Sequence, residues 1–364
     1  MKIVHFAKFF PPEYGGIESV TEALAEDHAA AGHEVEVVCF TRDMARVDKQ
    51  GRLTIRRMKV QAEKSSQPLS ASYLKTCACA AENADVVHVH TPNVFAALAV
   101  LRVPRQVKVV VHWHADIERK GLLGYLVRPV EHVLLRRADR VVTTSEAYGT
   151  ASRTLTHSQN RVEFIPIGIN DIDFTPDIQP IPRRDVLFVG RLVPYKGLKV
   201  LIEAVAHMQS ETTVRIVGVG PDEEALKAQA KRIGVSDRIE FMGRVDVDRL
   251  QTLYAEAAIF CLPSVNRREA FGVVLLEAMR AGLAVVSTDI PGSGVPWVNA
   301  SGLTVPVNNP KALARALDGL LTDSKEMLRI GMDGRKRFES EFSREKMSKR
   351  FLELYEKLYE RRAA

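Results

Sequence analysis

Glu269 and Glu277 bracket an apolar stretch, Ala270-Phe-Gly-Val-Val-Leu-Leu276, with Gly272 where a loop would pass into a helix. Val273 to Met279 reads as a buried helix and Gly282 as its stop. The first amides of such a helix have no carbonyl partners within it and carry the positive end of its dipole, so they suit a phosphate. Glu269 then lies on the loop ahead of the helix, and Glu277 about two turns inside it. An acid on each side of an anion-binding amide cluster is chemistry for a sugar nucleotide. The amides around Phe271, Gly272, Val273 and Val274 take the diphosphate, and each carboxylate accepts hydrogen bonds from hydroxyls at one end. Taken alone, the same residues also describe a buried helix with two incidental carboxylates.

Cations stand where that anion would need them. In Phe188-Val-Gly-Arg-Leu-Val-Pro-Tyr-Lys-Gly197 a strand ends at Gly190, and Arg191 and Lys196 follow on the loop. Two cations there neutralise a diphosphate and stabilise the charge that grows on it as a glycosidic bond breaks. Loop cations are otherwise merely solvated. Val217-Gly-Val-Gly-Pro-Asp222 and Phe241-Met-Gly-Arg244 are further strand-to-glycine turns, which bring in Gly220 and Arg244. Arg267 and Arg268 add charge just before Glu269.

Near the start, Phe9-Phe-Pro-Pro-Glu-Tyr-Gly-Gly16 leads into a helix from Ile17 to Ala31. Gly15 and Gly16 let backbone approach a ligand closely, although a simple loop would use the same pair. The spacing is not G-x-G-x-x-G, which argues against a dehydrogenase. Two histidine pairs follow, His88/His90 and His112/His114, each on one face of a strand. A zinc site would need a further ligand, and no cysteine or carboxylate near either pair supplies it. His88, His90 and His112 therefore read as core or cleft-lining residues. His114 ends a parallel strand in Val111-His-Trp-His-Ala-Asp116 and should enter the cleft; Asp116 is open between acceptor contact, helix cap and surface acid.

The elements that must position these residues alternate. Lys2–Phe6, Glu34–Phe40, Leu53–Val60, Asp85–His90, Val107–Trp113, Arg140–Thr144 and Val162–Ile165 read as strands, with helical patterns between several of them. After a proline-rich linker, 170–184, the series restarts at Asp185–Val189, Thr213–Val217, Ile239–Met242, Ile259–Leu262, Ala284–Ser287 and Leu303–Val305. Apolar strands separated by helices predict parallel sheets covered on both faces, so the fold class is α/β with two doubly wound, Rossmann-like domains. Their boundaries are 1–169 and 170–342. Ligands in such sheets bind beyond the carboxyl ends of the strands, which makes a central cleft between the domains the expected site. Residues 310–341 read as helices with charged outer faces, and Ser343–Arg361 as a last amphipathic helix.

The chain has 364 residues, a net charge of +6 and a pI of about 9.1. The basic balance fits anionic substrates or an anionic membrane surface, or solubility alone. No apolar run approaches the roughly 20 residues of a membrane helix. The first residues read as a strand rather than a signal peptide. Cys39, Cys77, Cys79 and Cys261 form no metal or redox spacing, which points to a reducing cytoplasm. No nucleic-acid module is evident. A helix over 121–140, with Leu122, Leu123, Leu126, Val130, Val133 and Leu134 on one face and Arg128, Arg136, Arg137 and Arg140 as its cations, packs on a sheet or lies on an anionic membrane. The packing reading is the more ordinary one.

The acid, seven residues, acid pattern with Phe-Gly after the first acid, together with Gly-Arg-Leu and Lys-Gly at the spacing of Gly190–Gly197, resembles the retaining glycosyltransferases of family 4, which have the GT-B fold. The resemblance covers nearly the whole chain, with the motifs in order. It implies an N-terminal acceptor domain and a C-terminal nucleotide-sugar domain. It also implies a last helix, about 343–364, that crosses back to the first. Catalytic roles fall to His114, Arg191, Lys196 and Glu269. Gly15, Gly16, Arg191, Lys196, Gly220, Arg244, Phe271, Gly272, Val273, Val274 and Glu277 border the donor. No metal or other cofactor is implied beyond the nucleotide-diphosphate sugar as co-substrate. The best donor is GDP-mannose or a related GDP-hexose, and the acceptor a glycan or a polyprenyl-diphosphate-linked oligosaccharide in lipopolysaccharide or other surface-polysaccharide assembly. A UDP-glucose or UDP-N-acetylglucosamine transferase, a GT-B sugar-nucleotide epimerase and a non-catalytic nucleotide-sugar-binding relative are the alternatives. The expected location is the cytoplasm, with peripheral contact at the inner membrane face left open.

Overall fold

The computed structural model describes residues 1–13, 15–64, 67–116, 121–171 and 185–363, and the side chains of all but 64, 121–126 and 361–363 among them. Most of the expected hinge, 172–184, lies outside these, as do Tyr14, Arg119 and Lys120. The chain forms two compact units, Met1–Gly168 with Arg344–Ala364, and Ile169–Ser343.

Among the described residues the first unit holds ten strands: β1 (Lys2–Phe6), β2 (Glu34–Thr41), β3 (Arg46–Gln50), β4 (Leu53–Lys59), β5 (Ala62–Lys64), β6 (Gln67–Leu69), β7 (Val86–Thr91), β8 (Lys108–Trp113), β9 (Arg140–Thr143) and β10 (Val162–Phe164). Eight of them form one sheet in the order β10-β9-β8-β7-β1-β2-β4-β3. Helices cover both faces, so its central strands are largely buried on both sides; all of β7 is buried, its two histidines included. The sheet departs from the all-parallel expectation at one edge, where β3 runs antiparallel to β4. Its sequence, Arg-Val-Asp-Lys-Gln, is polar and mostly exposed, as suits an edge strand and as hides it from a search for apolar runs. Asp48 on β3 holds Arg57 of β4 at 2.8 Å. β5 and β6 pair antiparallel as a separate two-stranded piece.

Register brings the histidines together. His5 of β1 lies beside His88 of β7, and His90 of β7 beside His112 of β8. Parallel neighbours in register share a face, so strands far apart in sequence place their rings in one layer. The helix Arg344–Ala363 closes that layer with the fully buried Phe351 and Tyr355.

The second unit is a six-stranded parallel sheet in the order β13-β12-β11-β14-β15-β16. Its strands are β11 (Val186–Val189), β12 (Val214–Val217), β13 (Ile239–Gly243), β14 (Ile259–Leu262), β15 (Ala284–Asp289) and β16 (Leu303–Pro306). From β11 the winding goes outward through β12 and β13; from β14 it goes the other way. The reversal point between β11 and β14 is where open α/β sheets bind ligands.

Candidate functional site

The loops leaving β11 and β14 at this reversal, with the helix that follows the second, carry most of the predicted residues. The β11 loop runs from Gly190 through Arg191 to a short 3-10 turn, Pro194–Lys196, and into the helix Leu198–Val205. The β14 loop runs from Pro263 through Glu269 to Gly272, and the helix Val273–Arg280 follows. The two loops touch main chain to main chain. Val265 N–H donates to the Tyr195 carbonyl at 2.9 Å. Gly197, at φ +70°, passes so near Pro263 that a β-carbon there would sit 1.9 Å from its carbonyl oxygen. Only glycine meets both demands.

That contact places Lys196 against Glu269, with Nζ 2.7 Å from Oε2 and both side chains about nine-tenths buried. The Ser264 hydroxyl donates to the same oxygen at 2.8 Å. The loop is braced from behind: the Ser293 hydroxyl donates to the Glu269 carbonyl, and Thr288 Oγ1 to the Ser264 carbonyl. Arg191 is exposed on the same loop as Lys196.

Gly272, at φ 78° and ψ 63°, turns the chain into the Val273–Arg280 helix. Ahead of it the Phe271 ring goes into the core against Trp297 and Phe342, so Phe271 has only main chain to offer a ligand. The first amides of the helix are left without intrahelical acceptors. Glu277 lies within the helix, half-buried, and its Oε2 accepts a 2.6 Å hydrogen bond from the Tyr254 hydroxyl. Burial raises the Glu277 pKa, opposed by that bond and by the charges of Arg280 and Lys196. Gly282 ends the helix region at φ 68°.

The other strand-to-glycine turns are built of packed backbone. Gly190 N–H donates to Val217 O at 3.0 Å, and Gly218 N–H to Gly243 O at 2.8 Å. A β-carbon on Gly218 would lie 1.9 Å from the Gly190 oxygen, and one on Gly220 2.2 Å from that of Leu192. Arg244 is exposed at the end of β13.

In the first unit the corresponding reversal lies between β1 and β7, and the loop leaving β1 ends at the exposed Gly15 and Gly16, where the helix Gly16–Ala30 starts. His114 follows β8. It is 6% exposed, against 0% for His5, His88 and His112 and 1% for His90. His5 Nδ1 lies 3.1 Å from His90 Nε2, and His90 Nδ1 lies 3.2 Å from His114 Nε2. Burial lowers the pKa of His5 and of His114 to about 3, and those of His88, His90 and His112 fall as well. His5, His88 and His90, and likewise His90, His112 and His114, have ring nitrogens within 4.8 Å of one another. The further ligand that the pairs lack in sequence is thus another histidine. Asp116 accepts from Trp113 Nε1 at 2.9 Å and from the Ser152 hydroxyl at 2.6 Å, so its Oδ1 serves the local fold.

The basic helix is Gly121–Arg137. Leu122, Leu123 and Leu126 fall outside the described side chains. Of the expected cations, Arg137 donates to the Pro104 and Val107 carbonyls, and Arg140, on β9, to Glu163. Leu134 is buried and Glu131 is buried beside it, which is a packing surface. Among the described residues no helix is long and apolar enough to cross a membrane.

Sequence reasoning missed Ser264, Tyr254, Thr288, Ser293 and His5. The four hydroxyl residues lie without motif spacing, Ser264 and Ser293 on loops, Tyr254 on a helix and Thr288 on β15; His5 needed the strand register.

The description "Glycosyl transferase 4-like domain" matches residues 15–168, and "Glycosyl transferases group 1" matches residues 172–337. The O-antigen chain mannosyltransferase C of Escherichia coli is 30% identical, over 99% of each chain. The D-rhamnosyltransferase WbpZ of Pseudomonas aeruginosa is 31% identical, over 94% of this chain and 92% of its own. The GDP-mannose:cellobiosyl-diphosphopolyprenol alpha-mannosyltransferase of Xanthomonas oryzae is 30% identical, over 87% and 86%. Among solved structures, sucrose-phosphate synthase from Thermosynechococcus elongatus superposes with a TM-score of 0.81 at 22% identity, over 98% of this chain and 99% of that one. Anabaena HepE in complex with UDP gives 0.76 at 19%, over 98% and 100%. At these identities the likeness speaks for the fold alone.

Proposed function

Because this chain belongs to the group 1 glycosyltransferases of GT-B fold, we propose that it is a retaining, family 4 hexosyltransferase. It moves a hexose from a nucleotide-diphosphate sugar, GDP-mannose or a related GDP-hexose, to a glycan or polyprenyl-diphosphate-linked acceptor in surface-polysaccharide assembly. The donor belongs to the second unit and the acceptor to the first. The observation that carries the reading is the Lys196–Glu269 pair at the sheet's reversal point, one loop contributing Arg191 and the other running into a helix start. The names of three relatives support the sugar and acceptor classes: two mannosyltransferases and a rhamnosyltransferase, one on O-antigen and one on a diphosphopolyprenol.

The chemistry follows from charge. As the glycosidic bond breaks, negative charge grows on the departing diphosphate. Arg191, Lys196 and the amides from Phe271 to Val274 are donors held ready for it, and they need no reorganisation at that moment. The reading therefore requires no metal. Glu269 orients the hexose through its hydroxyls, and Ser264 and Lys196 hold that carboxylate still. Glu277 accepts from the ribose hydroxyls. Gly15, Gly16, Gly220 and Arg244 line the nucleotide and diphosphate with main chain and one further cation. His114 bonds the sugar. Retention proceeds by same-face attack, in which the leaving phosphate oxygen takes the acceptor's proton.

Lys196→Ala and Glu269→Ala should each cut transfer by about 10²–10³-fold with the circular dichroism of the fold retained. Near-normal transfer by Lys196→Ala would reject the assignment. A thermal-shift screen of GDP- and UDP-sugars identifies the donor, since a bound donor raises the melting temperature by mass action. A shift with UDP-sugars alone would replace the GDP-hexose reading.

A further inference from the structure

The histidine layer of the first unit is more than a packed core, because three of its rings form a chain with a direction. His90 faces His5 with Nε2 and His114 with Nδ1. All three are buried, and burial disfavours the charged form, so each ring is neutral and carries one proton. Each link then holds one proton between two nitrogens, and only two arrangements satisfy both links. In the first, the protons sit on Nε2 of all three rings, and the chain ends with a His5 Nε2–H. That nitrogen is buried and has no hydrogen-bond partner among the described residues. In the second, the protons sit on Nδ1 of all three rings, and the atom left without a partner is a bare lone pair on His5 Nε2. An orphaned buried N–H is rarer in folded proteins than an under-used acceptor. The second arrangement wins.

We propose that His5 and His90 are positioning residues: the chain His5–His90–His114 fixes His114 with its proton on Nδ1, so that the free nitrogen of the chain's least buried ring is a neutral hydrogen-bond donor. Free histidine in water prefers the other tautomer, so the fold reverses the ordinary choice. The consequence is chemical. A ring held this way donates to an oxygen, a sugar hydroxyl or a phosphoryl oxygen, and does not serve as a general base through that nitrogen. The use of the donor rests on the proposed sugar contact of His114; the tautomer does not.

The tautomers are read directly by long-range 1H–15N correlation of the full chain with 15N-labelled histidine. Protonated Nδ1 and bare Nε2 on His5, His90 and His114 are expected. A His114 protonated on Nε2 in the wild-type protein would overturn the proposal. So would a stoichiometric transition ion in the purified protein, because an ion held by either group of three rings would take lone pairs the chain needs. His90→Gln should move His114 toward the Nε2–H form, and His5→Phe, which breaks only the far link, should give His114 as a mixture. An unchanged His114 signal in both would overturn the roles of His90 and His5. In transfer assays His90→Gln should lower kcat about tenfold with the donor KM little changed. If the tautomer moves and transfer does not, the chain stands and the sugar contact of His114 falls.

Discussion

Glu269 shows how much one side chain depends on its neighbours. Its carboxylate accepts from Ser264 and pairs with Lys196, and its carbonyl accepts from Ser293, so loop, acid and cation are fixed together before any ligand arrives. Glu277 is held more lightly, by Tyr254 alone among these hydroxyls. Tyr254→Phe should therefore raise the donor KM about fivefold, the worth of roughly 1 kcal/mol. It should also move the acid limb of donor binding. The hydroxyl favours the charged carboxylate; without it the raised pKa climbs further, and the acceptor form is lost earlier as pH falls. A KM measured against pH checks both, and a KM unmoved at every pH would remove Glu277 from the ribose. Arg191, Lys196, Glu269 and Glu277 were legible in the sequence because glycines mark the turns on which they sit or near which they lie. Tyr254 and Ser293 were not, because each reaches its partner from 23 or 24 positions away and a hydroxyl has no period of its own.

At the scale of elements, parallel strands announced themselves as Val and Ile runs, and each of the thirteen read from sequence forms within a residue or two of its expected ends. The polar β3 and the short β5 and β6 did not, since edge pairing leaves no apolar alternation to detect. Packing of the terminal helix was equally beyond periodicity, which shows an amphipathic face and not its partner. In the fold Arg344 pairs with Asp27 and Glu26, His28 faces the Ser348 carbonyl, and the Tyr355 hydroxyl meets His88 Nδ1 at 2.5 Å. Tyr355→Phe keeps the ring and strips that partner from a fully buried nitrogen. It should destabilise the first unit by about 1–3 kcal/mol, visible as a lower denaturant midpoint with the slope unchanged. An unchanged midpoint would mean that His88 finds another partner.

At the scale of the whole molecule, the first unit buries six histidines, His28 with the five already discussed, and burial lowers the pKa of every one. In the unfolded chain they bind protons near 6.5, whereas in the fold His28 waits until about 4 and His5 and His114 until about 3. Between those limits the unfolded state holds more protons, so stability falls as pH falls. Each such histidine takes away about 1.4 kcal/mol per pH unit across its window. A calorimetric series from pH 7.5 to pH 4.5 should show the first unit's transition dropping steeply below about pH 6.5; a flat profile would contradict neutral burial. The division of the chain also orders its birth on the ribosome. Ile169–Ser343 is one continuous stretch, while the other unit needs Arg344–Ala363 to roof its imidazoles. Translation finishes the later-starting unit first, and the residues made earliest wait, with that layer uncovered, for the helix made after both.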